Sequence, residues 1–179
     1  MTVYAFYIFD RHGIFLSSFL SVCPSVSLTS ARLAECIYKR RWLSRPTSDT
    51  QNLNPAETAR RADDDAKLVF GTVFSLRNMV RKLGGEDDSF ISYRTTQYKL
   101  HFYESPTSIK FVMLTDDKAP SMRIALQQIY VNLFVEYVVK NPLSPVEHPG
   151  GLGVNNELFE ESLEQFVVCP SIERTRVLS

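Results

Sequence analysis

The chain has 179 residues, enough for one domain with a sizeable core. Lys and Arg together number 20, as do Asp and Glu, so the formal net charge is zero, which argues against a nucleic-acid or anionic-membrane binder that works by bulk charge. No apolar run reaches transmembrane length, and the three cysteines (Cys23, Cys36 and Cys169) have spacings that fit no zinc or disulfide framework, which points to a reducing compartment.

Residues 3–9 (VYAFYIF) are apolar on both faces, the pattern of a central strand covered on both sides. Asp10, Arg11 and His12 begin a turn. Residues 13–33 are rich in Ser, contain Pro24 and fit neither the helical nor the strand period. Residues 13–26, with Arg11 and His12 in front, could pass for a short signal-peptide core, but the strand that precedes them argues against it. Residues 34–43 (AECIYKRRWL) return to a strand pattern, with Cys36, Tyr38, Arg40 and Trp42 on one side and Ile37 and Leu43 on the other. Removing 13–33 would leave an ordinary hairpin, so we read that segment as an insertion, with a retained intron or a gene-model artefact as its origin. A spliced transcript that encodes it in full would count against that origin.

Residues 45–63 carry Pro46 and Pro55 with few apolar groups and read as a mobile linker. Lys39-Arg40-Arg41 reads as an exposed strand end rather than a localisation signal or a patch for an acidic partner, and Arg60-Arg61 against Asp63-Asp64-Asp65 reads as a solvated charge run. Residues 66–83 form a helix whose core stripe is Val69, Val73, Leu76, Val80 and Leu83, widened by Phe70 and Phe74. The three aspartates precede its positive end, Arg81-Lys82 sit at the other, and Gly84-Gly85 stops it.

Residues 89–116 read as three strands of an antiparallel meander, with a turn at Ser105-Pro106-Thr107-Ser108. A helix follows over residues 122–140. Its polar residues form one line (Gln128, Asn132, Glu136, Lys140), and the rest of its surface is apolar almost all round. A helix lying on its own sheet needs a narrower apolar face, so part of this one should meet another protein. After a Pro/Gly-rich loop, residues 157–168 form a third helix with Leu158, Phe159, Leu163, Phe166 and Val167 as its core face.

The result is a single α+β domain, with the insertion at 13–33 and the linker at 45–63. Its element order is strand, strand, helix, three strands, helix, helix. One helix covers one face of a five-stranded antiparallel or mixed sheet and two helices cover the other.

No catalytic, cofactor-binding or metal-binding arrangement emerges. His101 reads as a sheet or interface histidine, His148 has no neighbour at ligand spacing, and the glycines of residues 150–153 lack the Lys-Ser/Thr of a phosphate loop. The candidate functional residues are instead partner-contacting ones. They are Tyr130, Phe134, Tyr137 and Val138 on the second helix, and Tyr98, Lys99, His101 and Tyr103 on the meander.

Four blocks carry a family resemblance: TVYAFYIFDRH (2–12), FGTVFSLRNMVRKL (70–83), YKLHFYESPTSIKFVMLTD (98–116) and LFVEYVVKNPL (133–143). Together, in this order, they resemble the subunit 1 family of the transport protein particle (TRAPP), small longin-domain, sedlin-like chains. The resemblance implies a longin-like (profilin-like) fold and no enzyme activity or cofactor of the chain's own. It implies a place in a tethering complex whose assembled core promotes guanine-nucleotide exchange on a Rab GTPase of ER-to-Golgi traffic. The implied partners are other TRAPP subunits, both longin-like and Bet3-like, and the Rab through the assembly; nucleic acid is not among them. The implied location is cytoplasmic, peripheral at ER and cis-Golgi membranes, with membrane contact only through the complex. In this family the first two strands meet at a tight turn, so 13–33 is a departure. A coat-adaptor small subunit or SNARE-like trafficking protein is the alternative on the same fold. A longin SNARE calls for a heptad region and an anchor, for which residues 171–179 leave no room.

Overall fold

The computed structural model describes residues 2–11, 35–42, 55–84, 90–145, 148 and 153–168. Five strands form one antiparallel sheet in the order β2-β1-β5-β4-β3: β1 (Val3–Phe9), β2 (Cys36–Arg41), β3 (Ser92–Arg94), β4 (Lys99–Glu104) and β5 (Lys110–Thr115). Helix α1 (Pro55–Gly84) covers one face. The other carries α2 (Arg123–Gln128), its direct continuation as a π-wound segment (Ile129–Val139), and α3 (Glu157–Val168). The element order and the α+β class expected from the sequence both hold.

The doubly apolar β1 is central, between β2 and β5, and its side chains divide between two apolar layers. Val3, Phe6 and Ile8 join the α2–α3 layer, and Ala5, Tyr7 and Phe9 join the α1 layer. Val3 shares a face with Phe6 because the pairing shifts by one residue at Tyr4, between Val3↔Thr115 and Ala5↔Leu114. A second shift separates Ile8↔Tyr38 from Phe9↔Cys36. It corrects the alternation expected for β2: Cys36 packs on the α1 side, while Ile37 and Tyr38 both join the α2–α3 layer. Beyond the shift, Lys39 and Arg41 face α1 and Arg40 faces α3.

Asp10 donates its amide hydrogen to the Glu35 carbonyl at 3.0 Å, so the chain leaves β1 and re-enters at β2 at one place. The insertion at 13–33 and residues 45–54 of the expected linker lie outside the described residues. Residues 55–63 of that linker are helical and form the first turns of α1. Pro55 opens the helix, where its missing N–H costs nothing, and Ala56, Glu57, Ala59 and two arginines are good helix formers. The outer edge of β2 is covered at its irregular point, where Val154 donates its amide hydrogen to the Ile37 carbonyl at 2.7 Å. A side chain on the preceding Gly153 would come within 3.1 Å of that carbonyl oxygen, so the close approach favours glycine.

The second helix departs most from expectation. Past Gln128 the winding widens, and at its end the Lys140 amide bonds the Val135 carbonyl at 3.0 Å, five residues back. The segment IYVNLFVEYVV is rich in β-branched and aromatic residues, which are weaker α-formers. Its buried positions, Ile129, Phe134 and Val138, are spaced five and four apart rather than four and three. The polar line keeps to the surface: Asn132, Glu136 and Lys140 are exposed and Gln128 is half-buried.

Candidate partner interface

The candidate residues of the meander fall on both faces of the sheet. Lys99, His101 and Tyr103 alternate along β4 toward α2. His101 is 1% exposed. Its Nδ1 accepts the Met122 amide hydrogen at 3.3 Å, which places the ring proton on Nε2, donating to Thr115 Oγ1 at 2.9 Å. Burial and the nearby Lys99 charge pull its pKa down to about 4. His101 is therefore a neutral interior group that holds the start of α2 on the sheet, which corrects its assignment as a contact residue. Lys99 donates to the Ala119 carbonyl at 2.9 Å and closes the same turn. Tyr103 packs 6.1 Å from Phe111 and 6.2 Å from Tyr130, ring centre to ring centre, and burial, with Tyr130 beside it, raises its phenol pKa. Tyr98 sits on the opposite face, its hydroxyl 2.7 Å from that of Tyr93.

On the second helix the expected contact residues also divide. Phe134 and Val138 are 1% and 4% exposed and belong to the core, a second correction. Phe134 meets Phe111 edge-on at 5.6 Å and Phe159 at 6.4 Å, tying the helix to the sheet and to α3. Tyr130 and Tyr137 are half-buried. The Tyr137 carbonyl accepts the Asn156 side-chain amide at 2.8 Å, while Asn156 Oδ1 accepts the Leu158 and Phe159 amide hydrogens at 3.0 and 3.3 Å. One side chain thus caps α3 and joins it to its neighbour.

The apolar surplus lies on other residues of this helix. Ile124, Val131, Val139 and, just past the helix, Leu143 are exposed, Leu143 by 91%. These residues, and not Phe134 or Val138, carry the apolar surface left open. Two further residues expected in the core are also exposed: Leu83 of α1 (83%) and Leu158 of α3 (60%).

The charged groups near β2 are tied within the chain. Lys39 pairs with Asp63, Arg41 with Asp65 at 2.5 Å, and Arg40 with Glu160 and Glu164, both at 3.5 Å. Strand alternation sends consecutive basic residues to helices on opposite faces. The charge run is solvated, as expected, but it lies well inside α1 rather than before its positive end, and from there Asp63 and Asp65 reach β2. Each pair is largely exposed and contributes at most about 1 kcal/mol.

The groups with chemical potential are blunted. Burial pushes the Cys36 thiol up to about 11, far from a thiolate at neutral pH. Burial, with Glu160 beside it, raises Tyr38 to about 12. Among the described residues no three His, Cys, Asp or Glu side chains converge as a metal-holding group, and no helix is long and apolar enough to cross a membrane.

The family model described as the Sybindin-like family matches residues 3–169. The chain is 39% identical to transport protein particle subunit bet5 of Schizosaccharomyces pombe, over 93% of this chain and 96% of that protein. It is 34% identical to trafficking protein particle complex subunit 1 of Rattus norvegicus (93% and 92%), and 30% identical to trafficking protein particle complex subunit BET5 of Saccharomyces cerevisiae (93% and 96%). With a family model that spans nearly the whole chain, and relatives matched along almost their full length, the chain belongs to the Sybindin-like family.

Proposed function

We propose that the chain is a non-catalytic core subunit of a TRAPP-type tethering complex. In this reading it supports guanine-nucleotide exchange on a Rab GTPase of ER-to-Golgi transport. It is cytoplasmic and reaches ER and cis-Golgi membranes only as part of the assembly, beside longin-like and Bet3-like small subunits. The observation that carries the reading is the near full-length match to chains that bear the particle's name. The distribution of apolar surface supports it: Ile124, Val131, Val139 and Leu143 are exposed along one helix and its end, beside half-buried Tyr130 and Tyr137. Exchange of this kind works by holding switch regions open, so it asks of a core subunit shape and contact rather than an acid, a base or a metal.

The test is nucleotide release from the Rab, followed with a fluorescent GDP analogue on the reconstituted core. Omitting this chain should return release to about the uncatalysed rate, and restoring it should recover exchange. Full exchange activity of a core that lacks the chain would overturn the reading.

A further inference from the structure

The two faces of the sheet are held unequally. Opposite α1, three helical stretches contribute to one continuous layer. Under α1 the helix's own contribution to the apolar layer is Ala66, Val69, Phe70 and Val73, and among the described residues no α1 side chain past Val73 belongs to it. Beyond that point Leu76 and Val80 are half-buried, and Met79 and Leu83 point outward. Phe74 stacks on Phe70 at 6.3 Å across Gly71–Thr72, and further along the helix Arg77 engages the sheet. Its guanidinium lies 5.1 Å from the centre of the Phe102 ring and pairs with Glu104 at 2.7 Å, with the two side chains only 17% and 30% exposed. Phe90 packs against the same Phe102 ring at 5.8 Å. Glu104 is backed by Lys110 at 3.9 Å, whose ammonium donates to the Ser108 carbonyl at 3.0 Å. Ser108 is the left-handed residue (φ 62°) of the β4–β5 turn.

Two features mark the boundary between the halves of α1. A side chain added at Gly71 would meet nothing within 4 Å, so packing does not require glycine there, and glycine weakens a helix interior. Next to it, the Thr72 hydroxyl donates to the Leu68 carbonyl at 2.8 Å, the i−4 back-bond that bends helices.

We infer that α1 is a two-part element in which residues 74–84 form a flap, hinged at Gly71–Thr72 and latched to the β4–β5 hairpin by the Arg77–Glu104 pair. Opening the flap uncovers the Phe90–Phe102 aromatic pair while residues 57–73 stay docked by their apolar seam and their ion pairs to β2.

Hydrogen exchange of the full chain, read by mass spectrometry peptide by peptide, tests the device. Arg77→Leu should speed exchange in residues 74–84 by about tenfold and leave β1, β5 and residues 57–70 unchanged. Gly71→Ala should slow exchange in 74–84 by about fivefold. Glu104→Gln should act in the same direction as Arg77→Leu with a smaller effect, and it carries the test if the leucine variant does not fold. Unchanged exchange in 74–84 on loss of the ion pair would overturn the latch, as would equal acceleration in β1 and β5, which reports whole-fold loss. No slowing by Gly71→Ala would overturn the hinge.

Discussion

Truncating Phe134 to alanine should lower folding stability by about 3–5 kcal/mol, seen as a shifted denaturant midpoint with an unchanged slope. Phe134 is the ring at which three elements meet: Phe111 of the sheet at 5.6 Å, Tyr130 of its own helix at 6.3 Å and Phe159 of α3 at 6.4 Å. At 1% exposure it leaves a cavity that neighbours from three directions cannot all relax to fill. Single domains are typically stable by only about 5–15 kcal/mol, so much of the margin goes with one ring. Val139→Asp, on the same helix but 61% exposed, should stay within about 0.5 kcal/mol of the parent. The contrast separates the two roles this helix combines. A small loss at Phe134 would place it on the surface after all.

The second large effect is a dependence on pH that one residue carries. His101 is buried and neutral, with Nδ1 committed to accepting the Met122 amide hydrogen. A second ring proton would have to form at that nitrogen, facing a donor. The folded-state pKa of about 4 lies below the ordinary value of 6.5. Between those two values the unfolded chain binds a proton that the folded chain does not. The contribution of His101 is therefore complete above pH 6.5 and is lost as pH falls toward 4, up to about 3 kcal/mol. Between pH 7 and 5 the parent should lose about 2 kcal/mol more than His101→Leu, whose stability at neutral pH is already lower because the Met122 amide and the Thr115 hydroxyl lose a partner. Chemical denaturation of both proteins at several pH values checks this, and parallel pH profiles would refute it.

What the sequence revealed depended on whether a local pattern or a contact between distant elements decided the structure. The apolar run of β1 was legible because it is buried on both sides, and the meander because its turns carry Pro and small hydroxyl residues. The first turns of α1 were hidden because residues 57–63 bury no apolar stripe; Asp63 and the neighbouring Asp65 reach Lys39 and Arg41, a pairing no local pattern displays. The contact residues of the second helix were misplaced because a segment that is apolar almost all round does not show which of its residues the sheet and α3 claim; the contacts turn Phe134 and Val138 inward and leave Val131 and Val139 outward. The surplus of apolar surface was real, and its address was wrong. His101 was visible as a strand histidine, but its pairing with the start of α2, 21 residues away, appears only in three dimensions.

The native mass of the purified chain, alone and then mixed with the other small subunits of the particle from its own organism, tests the assembly reading most directly. The chain should elute in a stable, stoichiometric complex with at least one of them, and Val139→Asp should weaken that complex while keeping the parent's unfolding transition. A folded chain that stays monomeric in the presence of all of them would contradict the account.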